Sequence, residues 1–328
     1  MSYMLYQKII LAARKVYLAL FPVVNDKVQN ATTADFASQL ISKKIESGKP
    51  LMISRFGAVE IGAISNYIGI KSKKHNVINI IRGNEPEWWW NEGIRRCMKN
   101  NAGFFSNDNA NLEKFAKLML EDMKKIDVLL SWQPQEKLFD KELKYCKKIG
   151  FIWVDPFWSK EPWTKSLENK KVLVIHPFAQ EIEDQYRMNR TKIHKNPDIL
   201  PNFSLKVIKA VQSIGGCSEF KTWFDALEFM ERQIDAIDFD ICLLGCGAYG
   251  MPLAAYIKRK GKQAIHFGGS LQLLFGIKGK RWETTEYGKD YFSDKVGKYP
   301  TLMNEFWIRP YETSNFDAAK KVENGCYW

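Results

Sequence analysis

The sequence predicts a Rossmann-like α/β fold, a mostly parallel sheet flanked by helices, with an N-terminal helix and a C-terminal wrapping tail. Three observations carry this expectation. Short apolar runs are followed by stretches of helical periodicity through most of the chain. One stretch, Asp240 to Gly261, reads as strand, glycine turn and helix, with another strand at Gln263 to Phe267. And 328 residues, 45% apolar and 26% charged, suffice to bury a substantial core. The expected division is an N-terminal helical segment over 1–48, a Rossmann-like domain over 49–283 and a C-terminal extension over 284–328.

The chain opens with an apolar segment, Tyr3 to Val24, interrupted by Lys8, Arg14 and Lys15. Those charges argue against a spanning helix, and no small-residue cleavage site marks a signal peptide. Leu5, Ile9, Ala12, Val16 and Leu20 share one face, with Lys8 and Lys15 near its edges. Such a face suits a helix docked on the domain or one lying on a membrane surface. Ala34 to Glu46 has helical periodicity and ends at Ser47-Gly48-Lys49-Pro50. Leu51 to Ser54 is a strand, followed by Arg55-Phe-Gly-Ala-Val-Glu60 and a helix from Ile61. A strand's C-terminal end is where α/β proteins bind ligands, so Arg55, Gly57 and Glu60 form a candidate site. Glu60 suits a general base or a metal ligand there, and Arg55 a phosphate contact, although a plain salt bridge or helix-start carboxylate fits as well.

Further on, Val77 to Ile81 is expected as a strand, with a helix to about Lys99 after Trp88-Trp-Trp90. Three consecutive tryptophans cannot share one side, which suggests that one faces a cleft unless all pack in the core. Asn111 to Lys125 is an amphipathic helix and Val128 to Ser131 a strand. Phe139 to Lys148 reads as a helix stopped by Gly150, and Phe151 to Val154 as a strand. Asp155 to Trp163 is an aromatic loop, suited to a lid, an acceptor surface or a packed connection.

In the second half, Lys171 to Ile175 is a strand ending at His176, a catalytic or structural histidine, and a helix follows. Leu205 to Val211 is a strand and Phe220 to Ile237 a long helix. Ile241 to Leu244 then enters Gly245-Cys-Gly-Ala-Tyr-Gly250, a G-x-G-x-x-G turn at a helix start, which offers free N–H groups to an anion. A dinucleotide site wants a carboxylate after the next strand, and His266-Phe-Gly-Gly269 holds none. The expected ligand is therefore a phosphate-bearing nucleotide, the alternative being glycines that only allow close packing. Lys278, Lys280 and Arg281 on a glycine-flexed loop suit a diphosphate clamp, with Trp282 stacking on a base or sugar; a solvated basic loop fits equally.

The net charge of +12 favours polyanionic company, such as nucleotide diphosphates or an anionic membrane surface. No recognised nucleic-acid module is present and the basic residues are dispersed, so no nucleic acid is expected. Six scattered cysteines without zinc-site spacing fit reduced thiols in the cytoplasm.

Together these segments resemble a known family. Ile53-Ser-Arg-Phe-Gly-Ala-Val-Glu60 resembles the Arg-aromatic-Gly-Asp-x-Glu signature of GT-D-fold glycosyltransferases. Leu243 to Gly250, with Ala264 to Gly269, resembles that fold's second glycine turn and Asp-x-Gly strand end. The span from Val172 to Glu283 is similar to uncharacterised bacterial proteins encoded near surface-polysaccharide genes. The resemblance covers roughly residues 51–282 and implies transfer of a sugar from a nucleotide sugar, a UDP-sugar by expectation. The acceptor would be a saccharide or a lipid-linked one in bacterial surface (capsule) polysaccharide biosynthesis, at the inner face of the membrane.

Carried over, Arg55, Gly57 and Glu60 match the signature, with Glu60 as base and His176 as its rival. The implied donor-binding set adds Gly245, Gly247, Tyr249, Gly250, His266, Gly268, Gly269, Lys278, Lys280 and Arg281. Two departures matter: Ala58 replaces the signature Asp, and His266 stands where an acidic residue is usual. A lone Glu60 is a poor site for Mn²⁺ or Mg²⁺. The expectation is thus a metal-independent enzyme, one that borrows a carboxylate such as Asp155, or an inactive relative. An NAD- or S-adenosylmethionine-dependent enzyme is the alternative.

Overall fold

The structure, a computed structural model, describes residues 3–21, 33–216, 219–285, 287, 298–311 and 325–328. Seven parallel strands form one sheet in the order β3-β2-β1-β7-β6-β4-β5. They are β1 (Leu51–Ser54), β2 (Val128–Ser131), β3 (Lys147–Gly150), β4 (Lys171–His176), β5 (Ser204–Lys209), β6 (Ile241–Leu244) and β7 (Gln263–His266). The inner strands are continuous apolar runs because both of their faces are covered. Their side chains alternate between two cores: Met52, Leu173 and Cys242 point into one, and Ile53, Val174 and Leu243 into the other.

The helices are α1 (Tyr3–Leu20), α2 (Ala34–Glu46), α3 (Ala58–Lys71), α4 (Val77–Ile81), α5 (Glu92–Asn100), α6 (Asn109–Asp122), α7 (Ala179–Ile193), α8 (Trp223–Asp235), α9 (Gly250–Arg259) and α10 (Leu271–Leu274). α3, α6, α8 and α9 cover the first face, and α2, α7 and α10 the second. Tyr299 and Trp307 join the second core. The expected wrapping of 284–328 falls largely on 286, 288–297 and 312–324, outside the described residues, as do 22–24 of the first segment.

Three expectations are corrected. Val77–Ile81 is a helix, because Asn76 Oδ1 accepts from the N–H of Ile78 (2.9 Å) and Asn79 (3.2 Å) and starts a turn despite the β-branched run. The third strand is Lys147–Gly150, overlapping the end of the helix expected over Phe139 to Lys148, and Phe151–Val154 is a 3-10 turn. β3 pairs only with β2, so as an edge strand it buries little beyond Ile149 and needs no apolar run. The apolar Phe151–Val154 instead serves packing, burying Ile152 and Val154.

The tryptophan triplet packs on the protein. Trp89 is buried beside Ile10 and Ile80, and Trp90 stacks on Tyr67 at 6.4 Å. Its backbone hangs on Asn66, fully buried on α3. The Asn66 amide donates to the carbonyls of Glu87 (3.0 Å) and Trp89 (2.9 Å), and its oxygen accepts from Asn91 N–H (3.0 Å). Likewise 155–163 is a packed connection, with Trp163 Nε1 donating to the Val154 carbonyl at 2.7 Å. The substitution Asn66→Ala strands these buried groups and is expected to lower the unfolding free energy by about 3 kcal/mol. A urea midpoint equal to that of the parent would show that the triplet is held by other means.

Candidate active site

The site follows from strand register. Ile53 pairs with Ile265, Leu244 with His266, and Ile175 with Leu244, so β1, β7, β6 and β4 end along one edge. That edge carries Arg55, His266, Gly245 and His176. β4 leads outward to β5 whereas β6 leads back to β7, so the loops leaving these neighbours diverge and open a crevice between them. The resulting cleft, of about 210 Å³, is lined by Arg55, Gly57, Glu60, His176, Gly245, Gly247, Tyr249, His266, Gly268, Gly269 and Arg281 among others.

Arg55 is the centre. Its guanidinium carbon lies 4.8 Å from the Trp132 ring and 5.5 Å from that of Phe151. Trp132 is fixed in turn, donating from Nε1 to the Phe56 carbonyl at 2.7 Å. Among the described residues no carboxylate lies within ion-pair distance of Arg55. Gly268 has φ +81, and a side chain there would strike the Arg55 guanidinium.

Glu60 sits in the first turn of α3, folded back so that a Cβ at Gly57 would fall on its carboxyl group. Burial raises its pKa, against the pull of its own N–H and of the Arg55 charge. The α3 N-terminus also favours the charged form. The group is thus a desolvated carboxyl beside a cation.

Both histidines are buried and neutral. The Phe178 N–H donates to His176 Nδ1 at 3.0 Å, which leaves the ring proton on Nε2. In that tautomer His176 donates a hydrogen bond and has no free base nitrogen. Burial lowers its pKa to about 3. His266 Nδ1 lies 3.2 Å from the Ser54 hydroxyl, and its ring fills the space that a side chain at Gly250 would occupy. Burial, aided by the Arg55 charge, likewise lowers its pKa to about 3. Tyr249 stacks on Trp223 at 4.7 Å and shares a hydrogen bond with Ser213 at 2.9 Å, so its ring is a wall of the cleft.

The basic loop divides. Arg281 lines the cleft, its guanidinium 4.8 Å from the Tyr327 ring and donating to the Tyr327 hydroxyl at 3.2 Å. Lys278 is half-buried and Lys280 exposed, and neither lines the cleft. Trp282 is 1% exposed in the second core, so it cannot stack on a ligand; the turn that aims Arg281 inward buries its neighbour. Trp132, Gln272 and Tyr327 are among the lining residues that the sequence alone did not mark. Trp132 directly follows β2, the same strand-end signal that marked Arg55. Gln272 and Tyr327 carry no such signal.

No group of three His, Cys, Asp or Glu able to hold a metal exists among the described residues. Asp155 does not line the cleft; it accepts from the Tyr299 hydroxyl at 2.5 Å, and burial raises its pKa to about 6. The residues present do not fit a protein-held divalent ion.

The neutral rings set a pH dependence. Unfolded histidine takes a proton near pH 6.5, whereas folded His176 resists until about 3. Its contribution to stability is full above pH 6.5 and is lost as the pH falls toward 3. Between about pH 7 and about pH 5 the loss is roughly 2 kcal/mol for this ring. His176→Asn keeps the acceptor for Phe178 N–H and cannot titrate, so its urea stability is expected to fall by that much less over the interval. An identical fall in both proteins would mean that His176 is not held neutral.

No family model and no curated protein matches the chain. Among solved structures the chain is similar to two of the domain of unknown function 1792. One is a selenomethionine-substituted form, 14% identical with a TM-score of 0.41, and the other, 13% identical with a TM-score of 0.38, is described as having a distinct glycosyltransferase fold. Each alignment covers 83% of this chain and 94% of the other.

Proposed function

We propose that the protein is a glycosyltransferase that takes a sugar from a nucleotide-sugar donor, a UDP-sugar by expectation, and passes it to a saccharide or lipid-linked acceptor in bacterial surface polysaccharide biosynthesis. The observation that supports this reading best is the turn from Arg55 to Glu60. It sets a guanidinium with no ion-paired carboxylate among the described residues and a desolvated carboxyl side by side in one cleft. The motif resemblance over residues 53–60 and 243–250 names the chemistry that such a pair suits.

In the transfer, the bond from the anomeric carbon to the donor diphosphate breaks and its electron pair leaves on the phosphate oxygen. The acceptor oxygen bonds to the anomeric carbon and gives up its proton. Arg55 and Arg281 receive the departing negative charge, a role that grows stronger as charge develops. The 3-10 turn at Gly247, just before α9, and the His176 Nε2–H add neutral donors. With both histidines neutral, the guanidinium groups of Arg55 and Arg281 are the cations that this lining offers a diphosphate. Glu60 takes the acceptor proton, and its raised pKa makes it a stronger base than a solvated carboxylate. No step runs through a metal.

A thermal-shift panel of UDP, GDP, CMP, NAD and S-adenosylmethionine, each with and without Mn²⁺, tests the reading. One nucleoside diphosphate is expected to stabilise the protein by about 2.7 kcal/mol at a hundredfold excess over its Kd, with no further gain from Mn²⁺. A shift with NAD or S-adenosylmethionine alone would sink it. Arg55→Ala is expected to abolish the nucleotide shift and Lys280→Ala to leave it intact. Glu60→Gln is expected to keep the shift while turnover falls roughly 10² to 10⁴-fold. Full turnover in Glu60→Gln would remove that residue from the chemistry.

A further inference from the structure

Among the described residues, α1 packs along the side that carries Ile10. Ile10 is buried against Ile80 and Trp89, with Tyr6 and Leu11 around it. Arg14 Nη1 reaches the buried carboxylate of Glu87 at 2.6 Å, and this ion pair fixes the rotation of the helix. The side turned outward is the apolar stripe evident in the sequence. Leu5 and Ile9 are each 48% exposed, Val16 60% and Leu20 68%. Lys8 and Lys15 are exposed along one edge of this arc, and the helix contains no acidic residue. A contiguous apolar face of this kind is uncommon on a free surface and marks a place of contact.

We propose that this face lies on an anionic bilayer surface, with α1 in the plane of the membrane. No helix among the described residues is long and apolar enough to cross a membrane, so insertion would be shallow. α1 is about 27 Å long at 1.5 Å per residue, which gives the stripe room along the interface. Charge selects the partner. Lys8 and Lys15 can bury their stems beside the stripe and hold their ammonium groups at lipid phosphates. The exposed turn that leads into α4 adds Lys73 and Lys74, and Ile78 on α4 is 58% exposed. A second copy of the chain, itself at +12, would bring an equally basic face to these lysines. An anionic surface neutralises them. The inference does not depend on glycosyl transfer, since the helix and its lysines lie outside the cleft lining.

The test is sedimentation of the full chain with phosphatidylcholine vesicles, with and without phosphatidylglycerol. The protein is expected to pellet with the anionic vesicles only and to be released by salt. Lys8→Gln with Lys15→Gln is expected to lower partitioning at least tenfold, each lysine near an anionic surface supplying a factor of roughly five. Ile9→Glu with Val16→Glu is expected to abolish binding while the melting temperature stays unchanged, because both positions are exposed. The lysine pair keeps the test decisive if the glutamates unwind α1. Failure to pellet with anionic vesicles, or undiminished binding by both double variants, overturns the proposal. A dimer that dissociates on Ile9→Glu with Val16→Glu, without vesicle binding, also overturns it and assigns the face to a second copy.

Discussion

The parallel register of β1, β7, β6 and β4 is the constraint on which the site depends. Parallel strands send every C-terminal end to the same edge, and pairing of Ile53 with Ile265 and of Leu244 with His266 holds those ends level. Residues that are far apart in the chain, Arg55, His176, Gly245 and His266, therefore meet along that edge. The continuous apolar runs that drive the strands into the interior position the chemistry as a by-product.

Desolvation then decides what these groups can do. The edge is buried enough to keep His176 and His266 neutral and to raise the Glu60 pKa. Stacking between Trp132 and Phe151 compensates the guanidinium for lost water without spending its N–H groups on a carboxylate. Nε donates to the Phe56 carbonyl at 3.3 Å, which leaves the terminal N–H groups for a ligand. A carboxylate at position 58 would sit one residue from Gly57 in the same turn, and Ala58 there leaves Glu60 as the turn's single acid.

The cleft and the core use aromatic residues differently. In the cleft, Trp132 and Tyr327 hold cations in place. Away from it, Trp89, Trp163 and Trp282 are core residues, as their burial shows. α1 belongs to neither group: its packing side carries the aromatic contact Tyr6–Trp88 at 6.4 Å, and its outward side is aliphatic with two lysines. A partly buried ion pair, Arg14 with Glu87, sets which side faces out.

What the sequence determined by itself was the α/β class, six of the seven strands and the two glycine-bearing turns, because buried parallel strands and helix starts write continuous local patterns. It also marked Arg55 and His176, polar residues at the end of an apolar run and so at a strand's C-terminal end, and Glu60 in the helix turn that follows the first of them. β3 and α4 were misread because an edge strand needs few apolar residues and a capped turn overrides β-branched propensity. Only the tertiary structure decided which cation of the 278–281 loop enters the cleft, that Trp282 is core, and that His176 donates. It also decided which side of α1 is covered. These outcomes rest on burial and on contacts between residues distant in the chain, such as Arg281 with Tyr327 and Arg14 with Glu87, and no local pattern records them.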